Sequence, residues 1–161
     1  MLGDQLSLDN ALLDGADRVL IVESRAKLAS GPPPFHRQKL HLILVAMRAF
    51  ANELRERGVE VDYRAAPSLA SGLRAHVRQH RPDGVAVLEP KRIGAGERLA
   101  RMPRVEVVEG GLFLTSPADF AEWARGRRRL VMEGFYREQR RRFDLLMDGD
   151  EPAGGRWNFD E

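Results

Sequence analysis

Arg18-Val-Leu-Ile-Val-Glu23, the break Gly31-Pro-Pro-Pro34 and the long run from His36 to Arg57 together decide the fold of this chain. The first is a short β-branched stretch that reads as a strand buried on both faces. The prolines then stop regular structure. In the third, Leu40, Ile43, Leu44, Met47, Phe50, Ala51 and Leu54 recur at three- and four-residue spacing, and Gly58 supplies a C-terminal stop, which predicts a long amphipathic helix.

The same alternation continues outward. Val59-Glu-Val-Asp-Tyr63 alternates at period two and predicts a second strand. Ser68 caps a helix to about His80, with Leu69, Leu73 and Val77 on one face. Pro82-Asp-Gly84 turns the chain into a third strand, Val85-Ala-Val-Leu88. A short helix over Gly96 to Met102, a fourth strand at Val105-Glu-Val-Val108 and the stop Gly110-Gly111 follow. Ser116-Pro117 supplies a cap and first-turn proline for a helix over Ala118 to Gly126, and a final helix is predicted from about Leu130 to Met147.

Strands separated by helix-length segments imply right-handed crossovers and a mainly parallel sheet with helices on both faces. The expected class is α/β, Rossmann-like and doubly wound. No internal repeat, low-complexity tract or domain boundary is visible. Ligands of such sheets sit at the carboxyl ends of the strands, which directs attention to the segments after Glu23, after Glu89 and near Gly3-Asp4-Gln5. Met1-Leu2-Gly3-Asp4 reads as the last residue of a strand and its turn, so the first strand is expected to be truncated. At the other end Trp157 and Phe159 have no core of their own to enter, which implies a partner segment.

The composition, with 161 residues, 43% apolar and 31% charged, excludes a disordered or fibrous chain. Zero cysteines remove disulfides, thiolate metal sites and iron-sulfur ligation from this chain, and four scattered His residues do not suggest a zinc site. The longest unbroken apolar run, Leu42 to Met47, is too short for a bilayer, and no signal pattern opens the chain; a cytoplasmic location without membrane contact is expected. The net charge is only +2, but Arg125 to Arg142 holds eight Arg against Glu133 and Glu138. Because nearly all the basic residues are Arg, part of this run reflects a general preference for encoding Arg.

No nucleophile elbow, Walker A loop, Gly-x-Gly-x-x-Gly or His-Glu-x-x-His is present, so spacing argues for no catalysis. Asp4, Glu23 and Glu89 fall at strand ends, where an acid can meet a ligand or simply close a turn. His36, Lys39 and Ile43 lie on one helical stripe and could offer a polar head and an apolar wall to a small molecule; equally, His36 can cap the helix, Lys39 can be solvated and Ile43 can be core. Phe135, Tyr136, Phe143, Leu145, Leu146 and Met147 interleave with Arg137, Arg140, Arg141 and Arg142, a pattern shared by phosphate-contacting helices and by helices docked through their apolar side.

Several segments together resemble a family: Leu2-Gly-Asp-Gln-Leu-Ser7, His36-Arg-Gln-Lys-Leu40, Ala46-Met-Arg48, Phe113-Leu-Thr-Ser116, Met132-Glu-Gly-Phe-Tyr-Arg-Glu138, Leu145-Leu-Met147 and Gly154-Gly-Arg-Trp-Asn-Phe-Asp160. In this order they are similar to the N-terminal domain of the iron-sulfur bacterial cryptochromes and photolyases, the deoxyribodipyrimidine photolyase-related proteins. The resemblance implies residues 1–150 as an antenna domain binding 6,7-dimethyl-8-ribityllumazine, with 151–161 as the start of a linker. FAD, a four-iron cluster on four cysteines and the damaged-DNA site would belong to a helical C-terminal domain. Such a parent repairs (6-4) lesions in light or senses blue light, and this segment makes and breaks no bond.

Carried over by motif, Gly3, Asp4 and Gln5 match the family's first strand-end turn, Glu23 and Ser24 the end of the next strand, and His36, Lys39 and Ile43 the helix that walls the antenna site. The apolar strand that precedes Leu-Gly-Asp-Gln in the family is missing here. Pro90-Lys-Arg92, Gly134 and Gln139 also depart from the family pattern. Two other readings stay open: an interaction module with an empty antenna site that braces the FAD domain, and a DNA-contacting module using the Arg-rich final helix.

Overall fold

The computed structural model describes residues 5–29, 35–90, 92–110 and 113–160. The chain forms two compact units, Met1–Leu112 and Phe113–Glu161. Beyond Gly110-Gly111 the sequence carries no mark of this division.

The first unit opens with a 3-10 turn at Ala11–Leu13, capped by Asn10, whose side chain accepts from the Leu12 N–H. Then follow β1 (Arg18–Ser24), α1 (Arg25–Ala29), α2 (Arg37–Glu56), β2 (Glu60–Ala66), α3 (Leu69–His80), β3 (Val85–Leu88), α4 (Ala95–Ala100) and β4 (Val105–Val108). β1 pairs parallel with β2, placing Ile21 opposite Tyr63, and β3 pairs parallel with β4, placing Val87 opposite Val107. Alternating strand and helix therefore gives the expected α/β class, with parallel strands joined through helices.

β1 is covered on both faces because its two side-chain rows are both apolar. Val19 and Ile21 join Met47, Phe50, Ala51 and Leu54 of α2 in the main core, with Leu6, Leu13, Ile43, Val59, Val61 and Tyr63 around it. On the other face, Val22 lies against α3, so close to Gly72 that a Cβ there would stand 2.7 Å from Val22 Cγ1. α3 is held at its start by a reciprocal capping box between Ser68 and Ser71.

Two short elements escape the sequence pattern. α1 is a single turn without an apolar period, and a two-stranded antiparallel hairpin, β5 (Met147–Asp148) with β6 (Glu151–Pro152), follows the last helix. That hairpin places part of 151–161 inside the second unit.

The second unit contains α5 (Pro117–Ala124), α6 (Met132–Arg142), this hairpin and a 3-10 turn over Ala153–Gly155. Ser116 and Asp119 form a capping box ahead of Pro117, as a serine-proline start predicts. α6 ends five residues before the expected Met147, because Asp144 and Leu146 take left-handed backbone conformations that no helix continues through. Phe135 of α6 packs edge to face on Phe120 and Trp123 of α5.

Candidate cofactor-binding site

Parity along the strands builds the site. Val19, Ile21 and Glu23 share the face of β1 that meets α2, and parallel pairing sets Tyr63 of β2 beside Ile21. At the carboxyl end the apolar row thus finishes in a carboxylate with a phenol next to it. Glu23 accepts from Arg48 Nε at 2.8 Å and Nη2 at 3.3 Å, and also from the Tyr63 hydroxyl.

The Glu23 side chain is 12% exposed whereas that of Arg48 is 61% exposed. The Arg48 hydrogen bonds hold the Glu23 carboxyl below its ordinary range; burial pushes the other way, and the Tyr63 hydroxyl adds to the lowering. Burial, reinforced by the Glu23 hydrogen bond, pushes the Tyr63 phenol up to about 12. Near neutral pH the group is therefore a carboxylate, a neutral phenol and a guanidinium.

Ser24 is buried beside Glu23, and its Oγ accepts from the Lys27 N–H, so it caps α1. Ile43 packs on the main core. His36 is exposed and caps α2 through Nδ1, which accepts from the Gln38 N–H at 3.3 Å. Lys39 is exposed, with its Nζ over the Phe35 ring at 4.7 Å. At a rise of 1.5 Å per residue, His36 lies about 18 Å and Ile43 about 8 Å from Arg48 along the α2 axis.

Gln5 is 1% exposed, and its Nε2 donates to the Leu88 carbonyl at 2.9 Å, at the carboxyl end of β3. Glu89 follows directly, its backbone N–H donating to the Val108 carbonyl at 2.9 Å. Gly3 and Asp4 lie outside the described residues. The structure thus sets Glu23 and Ser24 at the end of β1, packs Ile43 of α2 on the main core, sets Gln5 at the end of β3, and leaves His36 and Lys39 on the exposed first turn of α2.

Sequence reasoning missed Tyr63 and Arg48 as site residues. The signal for Tyr63 was parity, since it ends a period-two strand as the only polar-tipped aromatic. Arg48 carried no local signal, because its reach to Glu23 is decided by how α2 lies on β1.

A second polar cluster lies nearer the other end of β2. Asp62 accepts from His76 Nδ1 at 2.6 Å and Arg64 Nε at 2.7 Å, with His80 Nε2 at 3.3 Å. Two of the four histidines are therefore brought together. Burial pushes the Asp62 carboxyl up, but the hydrogen bonds from His76 and Arg64 outweigh it and hold the group below its ordinary range. Arg18 Nη1 lies 2.8 Å from His80 Nδ1, and Arg64 Nη2 lies 3.5 Å from His80 Nε2. Asp62, His76 and His80 have the donor atoms of a metal site, and the guanidiniums of Arg64 and Arg18 pack against the same carboxylate and imidazole.

In the second unit Arg140 is 5% exposed and turned inward, donating to the Leu145 carbonyl at 3.1 Å, the Leu146 carbonyl and the Trp157 carbonyl at 3.2 Å. Arg137 pairs with Glu133, and Arg142 with Asp119. Three members of the basic run are thus engaged within the unit, while Arg127 covers the Trp123 ring.

Comparison with known proteins bears on this arrangement. The model of the deoxyribodipyrimidine photo-lyase-related protein family matches residues 1–161. A (6-4) photolyase of Agrobacterium fabrum is 37% identical over 178 aligned residues, covering 99% of this chain and 34% of that protein. The uncharacterized protein R852 of Acanthamoeba polyphaga mimivirus is 24% identical over 162, covering 92% of this chain and 82% of that protein. The chain thus spans about a third of the length of the photolyase it matches. With the family model matching every residue and the parallel α/β architecture in place, the chain belongs to the deoxyribodipyrimidine photo-lyase-related protein family.

Proposed function

We propose that this chain is the light-harvesting domain of a photolyase- or cryptochrome-like flavoprotein and that it binds a ribityl-lumazine at the carboxyl end of β1. The observation that carries this reading is the Glu23, Tyr63 and Arg48 cluster at the carboxyl end of β1, with Ile43 of the same helix as Arg48 packed on the adjoining core. A lumazine has an imide edge, a polyol chain and a flat ring, and these residues fit each part. Glu23 accepts N–H or O–H donors, the exposed Arg48 guanidinium donates to ring carbonyls, and Ile43 offers the ring an apolar surface. When bound, the pigment supplies absorption and passes excitation to a flavin held elsewhere.

FAD, the four-iron cluster and damaged DNA belong, on this reading, to another domain of the parent. With no cysteine, this chain has no thiolate for the cluster.

The test is an absorption and fluorescence titration of the chain with 6,7-dimethyl-8-ribityllumazine, with FAD as control. Saturable lumazine binding without FAD binding is expected. Ile43→Trp should fill the ring site and weaken uptake by tenfold or more, whereas unchanged uptake in that variant would place the site elsewhere.

A second reading, that the chain also braces another domain, is favoured by the second unit. Only Arg140 and Pro152 are buried among its described residues, while Phe113, Leu114, Leu130, Met132, Leu146 and Phe159 are each more than half exposed. Such a surface asks for a covering partner. A DNA role through α6 has less support, because Arg140 is buried and turned inward and Arg137 and Arg142 are each paired with an acid at the surface; a steep fall of duplex affinity with salt would revive it.

A further inference from the structure

Alternate residues of a strand share a face, so β2 sends Val61 and Tyr63 toward the main core and turns Asp62 and Arg64 to the side that α3 covers. On α3, Gly72, His76 and His80 recur every four residues and form one stripe. Its first member sets how closely the stripe lies on the sheet. Without a side chain, Gly72 lets the helix approach until a Cβ there would stand 2.7 Å from Val22 Cγ1 and 3.4 Å from Ala66 Cβ. One and two turns later the same stripe carries two imidazoles to Asp62. His76 Nδ1 lies 2.6 Å and His80 Nε2 3.3 Å from Asp62 Oδ2, and the donor atoms of the three residues all fall within 4.8 Å of one another. Both rings also line the cavity of about 760 Å³ shared by Val22 of β1 and Val87 of β3, and the His80 side chain is 19% exposed, so the group is accessible to an ion.

We propose that Asp62, His76 and His80 form a three-ligand site for a divalent transition-metal ion of the zinc type, which ties the end of α3 to β2. The donor set selects the ion. Two imidazoles and one carboxylate suit zinc, whereas magnesium and calcium call for oxygen ligands. Bonds of about 2.0–2.2 Å around a tetrahedral ion set the ligand atoms about 3.3 Å apart. His80 already stands at that separation from Asp62, and His76 has to withdraw by about 0.7 Å. Histidines four residues apart on a helix can close on one ion from the same face. Three protein ligands leave a fourth position to water.

The neighbouring guanidiniums set the affinity. Arg64 Nε donates to Asp62 Oδ2 at 2.7 Å, and Arg18 Nη1 lies 2.8 Å from His80 Nδ1. A His80 that coordinates through Nε2 carries its proton on Nδ1, so Arg18 has to leave that nitrogen when the ion binds. Each guanidinium keeps another acceptor, Glu60 for Arg18 and Gln79 Oε1, at 2.6 Å, for Arg64. Zinc thus competes with two cations, and removing one of them tightens the site.

The test is a zinc titration of the untagged 161-residue chain, with the histidine ring signals followed by proton–nitrogen NMR and magnesium as the control ion. One equivalent of zinc is expected to move the His76 and His80 ring signals and to leave those of His36 and His41, and magnesium to move none. Asp62→Asn and His80→Gln are each expected to weaken zinc uptake at least about tenfold, His41→Gln to leave it unchanged, and Arg18→Gln to strengthen it severalfold. The ring signals are read on the unaltered chain, so a variant that unfolds does not remove the test. Unmoved His76 and His80 signals, an equal response to magnesium, uptake lost in His41→Gln, or weaker uptake in a folded Arg18→Gln chain would each overturn the proposal. Neither readout involves Glu23 or a lumazine, so the result is independent of the antenna reading.

Discussion

At the scale of single residues, Glu23 is the centre of the candidate site, since its partly buried carboxylate meets two donors of different kinds. Tyr63→Phe removes one neutral donor and is expected to cost about 1 kcal/mol in urea unfolding, with the Glu23 carboxyl shifted upward. The pH dependence follows from sign. The Glu23 carboxyl is depressed in the folded state, so its stabilisation is present above its unfolded value near 4.5 and is lost as pH falls through the lower folded value. Stability of the unaltered chain should therefore fall more steeply below pH ~4.5 than that of Glu23→Gln; parallel curves would mean that Glu23 is not held by Arg48. His76, 5% exposed, is the analogous group for Asp62. His76→Ala leaves that carboxylate short of a donor and is expected to cost ~1–3 kcal/mol, read as a shifted denaturation midpoint. These partners were not readable from local sequence, because Arg48 and Glu23 are 25 residues apart and meet only through the docking of α2.

At the scale of elements, α3 and β1 are joined by the close approach of Gly72 to Val22. A methyl at Gly72 would stand 2.7 and 2.9 Å from the two Val22 methyl carbons, so helix and strand must move apart. Gly72→Ala is expected to destabilise the chain by ~1–3 kcal/mol, and Val22→Ala in the same molecule to recover part of that loss. Additive costs would show that the contact is not the cause. The Ser68 box is a separate determinant: Ser68→Ala should cost about 1 kcal/mol by removing the cap of α3. The caps at Ser68 and Ser116 were legible because a cap is a local rule. α1 and the β5–β6 hairpin were not, since one lacks an apolar period and the other is two residues per strand.

At the scale of the whole molecule, the two units differ in how much they bury. The first has the core of Val19, Ile21, Met47, Phe50, Ala51 and Leu54, whereas the second buries only Arg140 and Pro152 among its described residues. Both tryptophans, Trp123 and Trp157, belong to the second unit, so their fluorescence reports on it alone. Unfolding followed by Trp fluorescence should come at lower urea than unfolding followed by far-ultraviolet circular dichroism, to which the long α2 contributes; coincident transitions would show one cooperative molecule. The sequence by itself determined the α/β class, the α2, α3, β1, β3 and β4 segments and the family, because periodicity, caps and a whole-chain motif order are properties of neighbours along the chain. Only the tertiary structure decided that Tyr63 and Arg48 meet Glu23, that His36 and Lys39 lie exposed at the start of α2, and that β1 and β3 face a cavity. Each of those depends on how a helix lies across a strand far away in sequence, and no local pattern encodes that crossing.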